Sequence, residues 1–169
     1  MSTLSKVFRW GWFLPVMVCF LAGFPTTQSH ASPKISLWKG QCIYVPVYSH
    51  IYSGDREHPF YLTATLSIRN TDLNNPIEIL SADYYDSSGK LLKKYLKGSQ
   101  HLKPLETVRY IVKESDKEGG SGAKFIVTWQ SQIEVNEPII ETIMIGTKSQ
   151  QGISFISQGK MIEKNTGLK

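Results

Sequence analysis

From Gln41 onward the apolar residues recur every second position, not at the 3.6-residue period of a helix. The clearest case is Leu62, Ala64, Leu66 and Ile68, which alternate with Thr63, Thr65, Ser67 and Arg69. Successive side chains of a strand point to opposite faces, so this segment turns an apolar face inward and a hydroxyl-and-arginine face outward. Eight stretches carry a strand pattern: 42–51, 62–68, 77–85, 91–96, 107–112, 124–130, 139–147 and 152–157.

The breaks between them have the chemistry of turns. Asn70, Asp72, Asn74 and Asn75 can bond to their own backbone, and Pro76 disfavours helix at Asn75. Asp86-Ser87-Ser88-Gly89 suits a type I turn followed by a left-handed residue, returning 91–96 antiparallel to 77–85. Short strands at this spacing, with no sustained helical period, predict an all-β chain: a single-domain antiparallel β-sandwich of immunoglobulin-like type.

The N-terminus has a different pattern. Lys6 and Arg9 precede an apolar run from Trp10 to Phe24, and Ser29-His30-Ala31 offers a small-x-small cleavage site. Residues 1–31 therefore read as a secretory signal peptide. Gly11, Pro15 and Gly23 interrupt the run, which is too short for a spanning helix, so no stable membrane insertion is expected after cleavage. No cysteine follows Leu21-Ala22-Gly23, as a lipoprotein box would require. The expectation is an exported protein, periplasmic or extracellular, with a domain over 32–159 and a flexible basic tail over 160–169.

Charge adds little. Two of the 19 Lys and Arg residues and none of the 14 Asp and Glu residues fall before residue 32, which leaves the remainder at +3. Lys90, Lys93, Lys94 and Lys97 are interleaved with leucines and make no continuous basic face, which argues against nucleic acid as a partner. Once Cys19 leaves with the leader, Cys42 has no partner within the mature chain.

Four features bear on chemistry. Tyr44, Pro46, Tyr48, His50 and Tyr52 occupy alternate positions, so one extended strand would align them on one face. Such a face is either core or, if exposed, a platform for a sugar ring or peptide. His50, Asp55, Glu57 and His58 lie close together without the spacing of a metal motif, and Gly54 with Pro59 reads as a solvated turn. Gly119, Gly120, Ser121 and Gly122 lack the strand-then-helix context of a nucleophile elbow; they read as a tight turn, with an anion-binding nest as the functional alternative. Arg69 is expected to pair with a carboxylate such as Glu78 or Asp83 on a neighbouring strand, or to clamp a ligand carboxylate.

The chain also resembles a bacterial family, domain of unknown function 3124. The resemblance rests on Tyr44-Val45-Pro46, Tyr48-Ser49-His50-Ile51-Tyr52, Leu66-Ser67-Ile68-Arg69-Asn70-Thr71, Tyr84-Tyr85, Gly119-Gly120-Ser121-Gly122-Ala123, Met144-Ile145-Gly146 and Gly152-Ile153-Ser154-Phe155. It spans nearly all of the mature chain and implies no catalytic residue, cofactor or substrate. The resulting expectation is a non-catalytic binding module of the cell envelope. It would engage a protein or glycan through Tyr44, Tyr48, His50, Tyr52, Arg69, Gly120, Ser121 and Gly122, with no metal and no cofactor. The alternative is a small hydrolase or metal-dependent enzyme using His50 and the acidic turn.

Overall fold

The computed structural model describes residues 36–164 apart from 54, 56 and 147–151; the expected leader and the chain beyond Lys164 lie outside the described residues. Twelve strands and no helix occur among the described residues. They are β1 (Leu37–Val47), β2 (His50–Ser53), β3 (His58–Tyr61), β4 (Thr63–Arg69), β5 (Ile77–Tyr85) and β6 (Leu91–Lys94), then β7 (Gln100–Leu102), β8 (Thr107–Val112), β9 (Ala123–Asn136), β10 (Ile139–Gly146), β11 (Ile153–Gln158) and β12 (Lys160–Lys164).

All pairings are antiparallel. One sheet runs β12-β1-β9-β5-β6, with β7 also on β5; a second runs β11-β10-β4-β8; β2 and β3 form a separate hairpin. Both larger sheets are open at their edges and neither closes into a barrel. The alternation read from the sequence sets which faces are buried: Leu62, Ala64, Leu66 and Ile68 meet Val45, Val127, Trp129 and Phe125 in one apolar cluster fed by both sheets. Burying each large aliphatic side chain contributes about 1.5–3 kcal/mol. Two polar side chains in this core satisfy each other: the Trp129 indole N–H donates to Gln41 Oε1 at 3.2 Å, and Gln41 Nε2 donates to Glu137 at 2.9 Å.

Two segments depart from the sequence expectation in ways that bear on β1. The segment 42–51 is not one strand. Ser49 breaks it, and the chain leaves the six-stranded sheet to form the β2–β3 hairpin before entering the four-stranded sheet after Leu62, whose N–H bonds the Ser49 carbonyl at 2.9 Å. Residues 160–164, expected within a flexible tail, instead pair with β1 as β12. Gly159 makes that crossing possible, because a Cβ there would collide with Ile43 and with the Ile140 carbonyl, to which its own N–H bonds at 2.8 Å.

A braced loop end as candidate functional site

One end of the fold gathers the β1–β2 break, the β2–β3 hairpin, the β5–β6 turn and the loop from Lys113 to Gly122. Hydrogen bonds over long sequence distances brace it. The Ser49 N–H and hydroxyl both donate to the Gly120 carbonyl at 3.1 Å, and the Gly120 N–H donates back to Ser49 Oγ at 2.8 Å. From the other side, Ser87 N–H and Oγ donate to the Gly119 carbonyl at 2.9 and 3.0 Å, and Ser87 Oγ accepts from the Gly122 N–H at 3.0 Å. Glycine is required at two of these positions. Gly120 sits at φ +84°, in the left-handed region, and a Cβ on Gly119 would strike the Tyr84 hydroxyl.

Two surfaces rest on this frame. On the hairpin, the His50 ring meets Tyr52 edge-on at 5.2 Å and Tyr61 at 5.8 Å, and the Lys117 ammonium lies 5.6 Å over the Tyr61 ring. Tyr52 is 53% exposed. Beside it, a groove of about 430 Å³ runs between Tyr84, Leu92 and Lys93 on one side and residues 115–118 on the other. The Asp116 carboxylate is held by the Glu118 N–H at 2.9 Å. Burial, and then the facing Asp116 carboxylate, push the Tyr84 phenol well above its ordinary range. Tyr95 is pushed up to about 12 by burial and by Asp116, and its hydroxyl donates to the Ile111 carbonyl at 3.0 Å. Both phenols therefore stay neutral donors across the physiological range.

The eight residues singled out from the sequence do not form one surface. Tyr44 lies on the outer face of the six-stranded sheet, beside Ile126 and Lys160 in register. Tyr48 packs edge-on against Phe155 at 5.6 Å and against the core cluster. His50 and Tyr52 belong to the hairpin, so the single stripe expected from alternation is broken at Ser49. Gly120 and Gly122 belong to the brace, with Ser121 between them, and the Gly120 and Gly122 N–H groups are already engaged by Ser49 and Ser87, which leaves no open nest there. Arg69 lies at the opposite end of β4. Its carboxylate partner is Glu141 at 3.4 Å, not Glu78 or Asp83, because β4 is flanked by β10 and β8 while those two acids sit on β5 in the other sheet. His50 and His58 fall at opposite ends of the hairpin register, and no three His, Cys, Asp or Glu side chains converge among the described residues. The sequence reading did not pick out Ser49, Ser87, Tyr61, Asp116 or Lys117 as site residues. Ser49 shares the face of Val45 and Val47, which the structure buries, whereas the sequence reading allowed the opposite, tyrosine-bearing face to be the core.

The family model described as "Protein of unknown function (DUF3124)" matches residues 40–162. No curated protein matches the chain. Among solved structures, the crystal structure of Thermotoga maritima 1070 is similar at 10% identity and TM-score 0.42, over 74% of this chain and 97% of that one.

Proposed function

The chain belongs to the DUF3124 family, and since that membership carries no activity with it, we propose from the geometry that the protein is a non-catalytic binding module whose loop end engages a protein or glycan partner. The observation that carries this reading is the brace itself. Two serines 38 positions apart in the chain clamp one glycine loop from both sides, holding an exposed tyrosine, a cation over an aromatic ring and a groove with a fixed carboxylate in a constant arrangement. A surface that is ordered before binding loses less entropy when a partner docks. Flat rings with polar tips suit sugar faces and peptide groups alike. The enzymatic alternative needs a second polar group facing the His50 ring, and the rings that flank it are Tyr52 and Tyr61.

The fold is in this reading an immunoglobulin-like sandwich. In that architecture the second and fifth strands pair in one sheet while the third and sixth pair in the other. The pairs β4–β8 and β5–β9 support the same alternation between sheets. What differs is the edges, where β1 lies antiparallel to β9 and β10 to β4. Export to the envelope, the location proposed from residues 6–31, would bring such a module to surface glycans and envelope proteins.

The test is binding of the full chain to glycan and peptide arrays, beside Tyr52→Ala and Lys117→Ala variants shown to be folded. A ligand lost in both variants supports the reading. A ligand retained by both, or turnover of an array substrate abolished by His50→Ala, contradicts it.

A further inference from the structure

The β2–β3 hairpin has two faces of different chemistry. Residues directly opposite on antiparallel strands share a face, so the register joins Ile51 to Phe60 on one side and gathers His50, Tyr52, Pro59 and Tyr61 on the other. Ile51 and Phe60 pack against the core cluster, and a Cβ on Gly146 would strike the Phe60 ring, which seats the hairpin on the end of β10. The opposite side carries four ring side chains and no aliphatic one. Tyr52 and Pro59 are exposed there, and His50 and Tyr61 are half-buried. The His50 ring stands at 81° to Tyr52 and at 68° to Tyr61, so it packs against both tyrosines and holds them. Positions two apart on a strand are separated by about 6.6 Å and neighbouring strands by about 4.8 Å. The patch therefore has the footprint of a single sugar ring.

The charges beside this patch are mixed in sign. Asp55 and Glu57 are exposed in the turn between the two strands, with Arg56 between them in the sequence, and Asp116 and Glu118 flank Lys117 in the loop that reaches Tyr61. Lys117 makes no ion pair among the described residues; its ammonium lies over the Tyr61 ring instead. An anionic partner would approach four carboxylates here, and a cationic one would meet Lys117 already seated on one of the rings. An uncharged ligand rich in hydroxyl groups meets neither obstacle. Its hydroxyls can donate to carboxylates and accept from the ammonium, while its apolar face lies on the Tyr52 ring. Peptides taken up by strand addition bind a backbone edge, whereas the outward side of this hairpin presents rings.

Resting on the reading of the loop end as a binding surface, we propose that its ligand is an uncharged glycan, with one sugar ring stacked on Tyr52 beside Pro59 and its hydroxyl rim held by Lys117 and the carboxylates of the hairpin turn. Tyr52 supplies the stacking face, His50 and Tyr61 set its position, and the mixed charges select against acidic and basic partners.

Titration calorimetry of the full chain tests this against soluble oligosaccharides of glucose, mannose, galactose and N-acetylglucosamine, with oligogalacturonate and heparin fragments as acidic probes and a hexapeptide library as a third class. Wild type is expected to bind at least one uncharged oligosaccharide and neither acidic probe. Tyr52→Leu, which keeps apolar bulk without a flat ring, is expected to weaken that binding about tenfold, the scale of one lost ring contact. Tyr52→Trp, which offers a larger face, is expected to bind at least as tightly as wild type. Each variant is first shown to have the wild-type far-ultraviolet spectrum. Preference for an acidic probe overturns the glycan assignment, as does a Tyr52→Leu variant that binds as wild type does. Binding of peptides alone, weakened by Tyr52→Leu, overturns the assignment and leaves the binding-module reading in place, whereas binding to no probe counts against both.

Discussion

Ser49 and Gly120 lie 71 residues apart in the chain and are joined by three hydrogen bonds, in which one buried hydroxyl donates to the Gly120 carbonyl and accepts from the Gly120 amide. This contact fixes where β1 ends. It also ties the hairpin that follows to the glycine loop, so the two features that make up the candidate site cannot move independently. Replacing Ser49 with Ala leaves the half-buried Gly120 amide without its side-chain acceptor. The expected cost is about 1–3 kcal/mol, measurable by urea denaturation. Amide exchange at residues 118–122 is expected to accelerate more than exchange at β4 or β9. Uniform acceleration throughout the chain would mean that Ser49 serves the whole core and not the loop.

The fit of Gly119 against Tyr84 makes a second, separable prediction. Gly119→Ala drives a methyl group into the Tyr84 hydroxyl, and overpacking of this sort costs about 1–3 kcal/mol. Tyr84→Phe removes the struck oxygen, though the ring carbon behind it remains close. The double variant is therefore expected to be more stable than Gly119→Ala alone, with a coupling of at least 0.5 kcal/mol, on the order seen between side chains in contact. Strict additivity of the two changes would contradict the packing described here.

Two carboxylates at the opposite end of the fold contribute to acid stability, alongside Asp86 of the β5–β6 turn, which hydrogen bonds from Ser88 and Lys90 also lower. The Asn74 N–H above all, opposed by burial and helped by the N–H groups of Asn136 and Asn75, holds the Asp72 carboxyl below its ordinary value of 3.8. Hydrogen bonds from Ser99 and then Gln130 lower Glu78 below 4.5 in the same way. The folded chain thus binds these protons less readily than the unfolded chain does. Their stabilisation is complete above the ordinary carboxylate range and drains away as pH falls through the lowered folded-state values. Asp72→Asn is expected to be less stable than wild type near neutral pH and to show a shallower loss between about pH 5 and 2. Denaturation midpoints across that range check both statements. A variant with the wild-type slope would place the acid sensitivity elsewhere.

How far the sequence carried the reading depends on whether each contact is local. Alternation located β5 and β8 at their observed bounds and β4 within a residue, since a half-buried strand writes its burial directly into its residues. The β5–β6 turn was equally legible: Asp86 caps Ser88 and Lys90, and Gly89 sits at φ +91°. β3 was hidden by Pro59 and by the charged turn before it, and β7 is only three residues long. β12 reads as a tail because Met161 and Ile162 are its sole apolar residues, and its pairing partner lies more than a hundred residues away on β1. The site was half legible. The glycines read as a tight turn. Ser49 and Ser87 could not be singled out, because a serine bonded to a distant backbone carries the same letter as one facing water.

The proposal that the loop end is a binding surface is tested most directly by a photo-activated cross-linking residue placed at Tyr52, and in a second variant at Leu73, which is exposed at the opposite end of the molecule. Both are expressed as the full chain in the source cells and irradiated. The account predicts one dominant adduct from position 52, protein or glycan, and none from position 73. Adducts from position 73 alone, or the same adduct from both positions, would contradict it, as would a position 52 that captures nothing.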